Sequence, residues 1–378
     1  MNAYSFYLYG SPFFWVSLLF PQNWLPYLMV PLLVLKFAVA GGGAYLYLRR
    51  YVKNIDYAVL GACLYTFSGF TVYNVFFNHF VDVVALFPYL LWSLDEALYN
   101  DRRSWFAFWV AVNLVNNYFF FIGQVVFLAI YFICKLSTRD FRLTAKKFGL
   151  LAFESVLGAA MGSILLVPAV LSILQNPRTI DLSSGWGFLT YSKVQQYLAI
   201  LVSWIMPPDS PYLTSIWSEG VIKWTSMSAY LPLCSLAGAV AYWKAKCGDS
   251  KKRIVGTCAV FALVPILNSA FYALNSSYYA RWYYMPVLVL AAMTVNAKTI
   301  TEDLDARYEA FADAEAFLIE NALVIPLGMP VPPYIATRLN LWEGQYAPTG
   351  LSTNRLKGVH ILDHYVSMEE YNQNRDAR

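Results

Sequence analysis

The amino-acid sequence predicts an all-α protein: a polytopic transmembrane helical bundle of about nine spans, with a short non-membrane C-terminal tail that contains one helix. Hydrophobic residues make up 58% of the 378 residues and charged residues only 13%, about half of the roughly 25% usual in soluble domains. The 12 Trp, 29 Tyr and 26 Phe are residue types that gather at membrane interfaces. This composition disfavours a soluble enzyme, a disordered protein and a nucleic-acid-binding protein.

Candidate spans are apolar runs, since a helix that crosses about 30 Å of hydrocarbon needs about 20 apolar residues. The runs are 25–48, 57–76, 83–99, 104–117, 119–135, 148–174, 228–243, 254–272 and 281–297. They lack the sustained alternation of membrane β-strands, which favours helices. Some runs are short, so adjacent pairs are either separate spans or kinked and re-entrant segments.

The basic residues between these runs predict the orientation in the membrane. With the N-terminus outside, four lysines and arginines fall on the outer side: Arg178, Lys193, Lys223 and Arg281. Sixteen fall in the loops of the other side: Arg49, Arg50, Lys53, Arg102, Arg103, Lys135, Arg139, Arg142, Lys146, Lys147, Lys244, Lys246, Lys251, Lys252, Arg253 and Lys298. Because basic loops stay in the cytoplasm, we predict an outside N-terminus, an outside segment 175–227 and a cytoplasmic C-terminal tail. The first residues show no signal peptide, and we therefore expect a preceding helix to be missing.

Small-molecule cofactors and metals are not indicated by the sequence. The five cysteines form no CxxC pair and only three histidines occur, so we expect no metal site. Neither a GxxxxGK[ST] motif nor a Rossmann fingerprint is present, which excludes the common nucleotide sites.

Two charged residues at membrane depth are candidates for function, because such residues are costly there. Lys36 lies in the middle of a span, where it could neutralise a lipid-linked phosphate, pair with an acid or snorkel. Asp82 precedes the predicted span 83–99, where it could act as a general base, hold a divalent cation or cap the helix. Glu96, with Asp95, is expected to pair with Arg102 or Arg103.

Three further polar residues are candidate substrate-binding residues. Asn116 and Asn117 interrupt a long apolar stretch, where they could satisfy freed backbone groups or line a polar cavity. Arg281 opens a span between Tyr279 and Tyr283, where it could grip a phosphate bidentately or anchor to lipid headgroups.

The sequence resembles the bacterial YfhO family of membrane proteins over about residues 5–300. The matching stretches are GSPFFWVSLLFPQNWLP (10–26), LLVLKFAVAGGGAYLYLRR (32–50), LGACLYTFSGF (60–70), NHFVDVVALFPYLLWSLDEAL (78–98), NNYFFFIG (116–123) and SSYYARWYYMPVLVLAAMT (276–294). The family resembles polytopic GT-C glycosyltransferases.

The resemblance implies transfer of a sugar from a polyprenyl-phosphate donor to a cell-envelope polymer of the lipoteichoic acid type, outside the bacterial plasma membrane. By position, recurring polar residues of the family correspond to Lys36, Asp82, Glu96, Asn116, Asn117 and Arg281. Of these, Asp82 is the candidate catalytic residue, and Lys36, Asn116, Asn117 and Arg281 are the candidate substrate-binding residues. The resemblance also implies a first helix and an acidic outer loop before this sequence. Without that loop's carboxylate, Asp82 is the only outer acid close to a span start, and the chain could be inactive.

The tail differs from the membrane part in charge. Residues 1–298 hold 21 basic and 11 acidic residues, whereas residues 299–378 hold 6 and 12. Segments 308–330 and 339–362 resemble the C-terminal end of extracytoplasmic oligopeptide-binding proteins, and 306–322 predicts a helix. We therefore divide the chain into a membrane domain, 1–298, and a soluble tail, 303–378, joined as two unrelated fragments.

Two other functions remain open at this point. A transporter or flippase of lipid-linked envelope precursors would need paired broken helices, and only the Asn116–Asn117 break is visible in the sequence. A component of peptide import rests on the tail alone and ranks last.

Overall fold

The computed structural model describes residues 9–138, 140–174, 187–207, 226–244, 249–275 and 279–296, together with 363, 367, 369 and 370. Within these residues the regular structure is helical and no strand occurs, which confirms the predicted all-α class. The chain divides into two units, Met1–Val324 and Ile325–Arg378, and all helices numbered below belong to the first. The predicted tail helix 306–322, the proposed junction near 298–305 and most of segment 175–227 lie outside the described residues.

Thirteen α-helices are described in the first unit, numbered in chain order. They are α1 (Pro12–Ser17), α2 (Leu25–Leu48), α3 (Ile55–Thr66), α4 (Gly69–Tyr73), α5 (Asn78–Tyr99), α6 (Trp105–Asn116), α7 (Tyr118–Ser137), α8 (Ala145–Leu174), α9 (Val194–Ile205), α10 (Leu233–Lys244), α11 (Ser250–Leu263), α12 (Pro265–Ala270) and α13 (Tyr284–Asn296). A 3₁₀ turn, Gln22–Trp24, leads into α2.

Fewer segments are both long and apolar enough to cross a membrane than the sequence predicts. Among the described residues, four segments are long and apolar enough to cross a membrane: Gln22–Leu48, Ile55–Tyr73, Tyr118–Ser137 and Ala145–Ser172. The predicted nine spans are therefore not confirmed. The apolar helices α6, α9 and α13 have only 12 or 13 residues, which gives each about 18–20 Å.

Helix α5 lies in the interior of the bundle. Sixteen of its 22 residues are buried, and it packs against α2, α6, α7 and α13. It carries carboxylates near both ends, Asp82 near the first and Asp95 and Glu96 near the last. Because neighbouring helices surround these charges, they meet protein partners instead of lipid.

Helices α2 and α5 run parallel and in close contact. Lys36 lies beside Asp82, and Arg50 beside Glu96, so residue numbers increase in the same direction along both helices. Between these pairs, a Cβ atom on Gly43 would lie 2.6 Å from the Tyr89 ring. Glycine at position 43 therefore permits the close approach of α2 and α5.

Helices α6 and α8 are also parallel neighbours, joined through small residues. A Cβ atom on Gly158 of α8 would lie 2.5 Å from the Ala107 carbonyl oxygen, and one on Gly162 would meet Leu114 at 2.5 Å. The buried Glu154 of α8 accepts hydrogen bonds from the backbone N–H groups of Ser104 and Ala107. Its carboxylate thereby satisfies the start of α6, where Ser104 provides no side-chain cap.

Candidate functional site

The candidate site begins with a buried ion pair between Lys36 of α2 and Asp82 of α5. The Lys36 side chain is 4% exposed and that of Asp82 3%. Lys36 Nζ also donates to the carbonyl oxygen (3.2 Å) and side-chain oxygen (2.6 Å) of Asn78, while Ser11 Oγ donates to Asp82 Oδ2 (2.5 Å). We call Ser11, Lys36, Asn78 and Asp82 the Lys36–Asp82 cluster; its charges and hydrogen bonds offset the desolvation of both ions.

Asp82 does not cap a helix, contrary to one interpretation of the sequence. Helix α5 begins at Asn78, with Phe77 as N-cap residue and no side-chain cap, and not near residue 83. The polar side chains at the start of α5 lie inside the bundle, because Asn78 accepts hydrogen bonds from Lys36 and Asp82 is paired with Lys36. Of the alternatives for Lys36, the ion pair with an acid is the one observed.

Helix α1 covers the Lys36–Asp82 cluster. Besides the Ser11 hydrogen bond, the buried Phe13 ring lies 5.5 Å from Lys36 Nζ. A Cβ atom on Gly10 would lie 1.7 Å from the carbonyl oxygen of Val115 in α6. Only glycine can therefore occupy this position, and the chain enters α1 directly against the end of α6.

The two asparagines between α6 and α7 have different roles. Asn117 caps α7, since its side-chain oxygen accepts from the N–H groups of Phe119 (3.1 Å) and Phe120 (3.3 Å). This confirms the expectation that it satisfies freed backbone groups. Asn116 is 3% exposed, and its side-chain oxygen has no hydrogen-bond partner among the described residues. Lining of a polar cavity by either residue stays a prediction.

Arg281 lies three residues before α13, surrounded by aromatic rings. Its guanidinium carbon is 4.3 Å from the ring centre of Tyr279, 5.3 Å from that of Phe80 and 6.0 Å from that of Phe119. No carboxylate of the described residues pairs with it, and its buried Nε atom has no acceptor there.

These predicted residues lie toward one end of the bundle. Phe80, between Asn78 and Asp82 on α5, contacts Phe120 of α7 at 4.7 Å and the Arg281 guanidinium. His79 lies within electrostatic reach of both Arg281 and Lys36. The first turns of α5 and α7 and the approach to α13 thus bring the cations Lys36 and Arg281 to the same end of the bundle, where Lys36 is paired with Asp82.

A second charged network lies at the opposite end of α5 and was not predicted as a unit. Asp95 is fully buried and accepts from Lys135 Nζ (3.0 Å), Tyr51 Oη (2.7 Å) and Tyr131 Oη (2.9 Å). Lys135 is 1% exposed, although the sequence places it among loop cations. Of the two predicted partners of Glu96, Arg102 is confirmed at 3.3 Å.

Glu96 has a second partner, Arg50 at 3.0 Å, that the sequence did not indicate. Basic residues assigned to one side of the membrane, Arg50, Arg102 and Lys135, therefore meet at one end of α5. Which side of the membrane this end faces stays a prediction.

In the described part of the chain, no group of three or more His, Cys, Asp or Glu side chains could hold a metal ion.

Comparison with known proteins assigns most of the chain to one family. The model of a family described as "Bacterial membrane protein YfhO" matches residues 1–314, well over half of the 378 residues. No curated protein and no solved structure matches the chain. No comparison supports the resemblance of the tail to oligopeptide-binding proteins.

Proposed function

Because the chain belongs to the YfhO family of bacterial membrane proteins, we propose that it transfers a sugar from a polyprenyl-phosphate donor to a cell-envelope polymer of the lipoteichoic acid type. The reaction takes place at the end of the bundle that carries Lys36 and Asp82. The apolar helices support a location in a lipid bilayer. A lipid-linked sugar donor is present there, and an enzyme that uses it needs no nucleotide-binding site.

One observation carries this proposal: a carboxylate, Asp82, is held inside a helix bundle by a lysine and a serine. Such groups are costly in a membrane protein and are typical of functional sites. The neighbouring aromatic rings and Arg281 supply apolar surface and a second cation, which suits a ligand that joins an isoprenoid chain to a phosphate.

Asp82 serves as the general base in the proposed reaction. An acceptor hydroxyl group loses its proton to the Asp82 carboxylate, and its oxygen forms a bond to the anomeric carbon of the donor sugar. The bond between that carbon and the phosphate oxygen breaks, and the phosphate monoester leaves with the electron pair. Ser11 has to release Asp82 before the acceptor reaches it, because both carboxylate oxygens are engaged in the structure.

A transfer assay with the full chain in lipid nanodiscs tests the proposal. Radiolabelled polyprenyl-phosphate hexoses serve as donors and isolated envelope polymer as acceptor. We expect the D82N variant to lose transfer by roughly 10²–10⁴-fold, the usual contribution of a general base. D56N is the matched control, since Asp56 is an exposed carboxylate in the first turn of α3.

The proposal fails if no donor sugar is transferred by the wild-type chain, or if D82N transfers as fast as wild type. Thermal unfolding in detergent must show D82N folded, so that loss of activity reports on chemistry and not on collapse of the bundle.

A lipid-precursor flippase is the second candidate, favoured by interrupted helices. Besides the Asn117 break, the helical run 250–270 is interrupted at Val264, where α11 ends and α12 begins. Short helix pieces around a central site are typical of transporters. Movement of a fluorescent polyprenyl phosphate across reconstituted vesicles, without any sugar transfer, would favour this function over the first.

A further inference from the structure

Lys36 has no donor left for a ligand. An ammonium group has three N–H donors, and in the structure Lys36 Nζ faces three acceptors: one Asp82 oxygen and two Asn78 oxygens. Its charge is balanced by the Asp82 carboxylate, and its side chain is almost fully buried. A phosphate could bind to it only by displacing these partners, at the cost of leaving Asp82 charged and unpaired.

Arg281 is in the opposite situation. A guanidinium has five N–H donors in a planar fork, yet no described residue offers this side chain an acceptor, and its Nε is buried. Its backbone N–H donates to the Tyr272 hydroxyl oxygen (2.7 Å). A partly buried cation with no counter-charge among the described residues is a favourable site for an anion.

The aromatic neighbours fix where that anion binds. Tyr279, Phe80 and Phe119 lie near the guanidinium, which restricts its rotation while cation–π attraction holds it. His79, which precedes Phe80 on α5, lies within electrostatic reach of both Arg281 and Lys36, so an anion on Arg281 lies at the same end of the bundle as the Lys36–Asp82 cluster.

We propose that Arg281, framed by Phe80, Phe119 and Tyr279, binds the phosphate ester of a lipid-linked ligand, and that Lys36 is a positioning residue for Asp82. The family resemblance assigns both cations to the substrate, whereas this proposal assigns the phosphate to Arg281 alone. The identity of the lipid rests on the proposed function, but phosphate binding is measured without any sugar transfer, so failure of one is distinguishable from failure of the other.

Binding of three probes to the full chain in detergent micelles tests the assignment: farnesyl phosphate, farnesol and inorganic phosphate. Farnesyl phosphate should bind, and farnesol should bind at least tenfold more weakly, because charge-assisted hydrogen bonds contribute about 1.5–3 kcal/mol. Stronger binding of farnesyl phosphate than of inorganic phosphate identifies a lipid as the source of the phosphate. Similar affinities identify the phosphate group alone as the ligand, and both results support the anion site.

Variants separate Arg281 from the other cations. We expect R281Q to lose about tenfold or more in farnesyl phosphate affinity. R281K should lose less, because lysine keeps the positive charge but lacks the planar set of N–H donors of a guanidinium group. K193Q is the control, since Lys193 is an exposed cation predicted on the same side. K36Q should keep the wild-type affinity but lose transfer activity, as expected of a residue that acts through Asp82.

Three results would overturn the assignment. R281Q could bind farnesyl phosphate as wild type does, which would show that the cation–π contacts of Arg281 have only a structural role. Farnesol could bind as tightly as farnesyl phosphate, which would show purely apolar binding. K36Q could abolish binding while R281Q keeps it, which would show that Lys36, and not Arg281, binds the phosphate. Unfolding temperatures without ligand show whether each variant is folded, and R281K provides the test if R281Q is not.

Discussion

The hydroxyl group of Tyr65 donates a 2.9 Å hydrogen bond to the carbonyl oxygen of Val84, in the buried centre of the bundle. Val84 lies four residues before Pro88, which is inside helix α5. Because proline has no N–H, this carbonyl lacks its helical donor. A side chain of α3 thus satisfies a backbone group of α5 that would otherwise be buried unpaired.

Removal of this hydroxyl should destabilise the protein. We expect Y65F to lower the free energy of unfolding by about 1–3 kcal/mol, the cost of an unsatisfied buried acceptor. In a P88A background, residue 88 regains an N–H for Val84, so the same Y65F change should cost less. Unfolding of all four proteins in detergent measures the coupling; equal costs of Y65F in both backgrounds would contradict this account.

Separation of Lys36 from Asp82 should cost more. K36M leaves a buried carboxylate without its counter-charge, for which we expect a loss of roughly 3–5 kcal/mol. The double variant K36M/D82L removes both charges and should recover much of that stability without recovering any sugar transfer. If the double variant were no more stable than K36M, the two residues would not act as a pair.

The glycines of α8 give a matched test of helix packing. We expect G158A to destabilise the bundle by about 1–3 kcal/mol, because its methyl group would overlap the Ala107 carbonyl oxygen. G149A lies in the same helix with no atom within 4 Å and should be neutral or slightly stabilising. Thermal unfolding of both variants tests this prediction. Similar losses of stability in G158A and G149A would indicate a general effect of mutating α8.

Accessibility of single cysteines tests the predicted orientation. In a background with all five cysteines replaced by alanine, a membrane-impermeant maleimide should label K193C on intact cells. R102C, at an exposed side chain of the opposite end, should react only after permeabilisation. The reverse pattern would invert the predicted topology while leaving the bundle unchanged.

The helical class, the YfhO resemblance and the Asn117 cap could be predicted because each depends on local sequence. Composition and runs of apolar residues determine the first, and an asparagine before an apolar run determines the last. The start of α5 could not be predicted from the sequence. Asn78 and Asp82 are typical of a loop until their partner Lys36, over 40 positions earlier, is known.

The network around Asp95 was missed for a related reason. Lys135 ends an apolar run, and counting it as a loop charge is the ordinary interpretation. Its burial follows from the approach of α7 to α5, which brings Lys135 to Asp95 across 40 residues of sequence. A single sequence shows which residues are polar but not which helices are neighbours. Glu154, which caps α6 from α8, was missed in the same way.

Two of the ion pairs that join α2 to α5 share one spacing, and this restricts how the two helices can move. Lys36 and Arg50 are fourteen residues apart on α2, as are Asp82 and Glu96 on α5, a rise of about 21 Å along each helix. Sliding of α5 by a single turn, about 5.4 Å, would break both pairs at once. In the proposed reaction, we therefore expect α1, which covers the Lys36–Asp82 cluster, to be the element that moves when a substrate approaches Asp82, while α5 keeps its register.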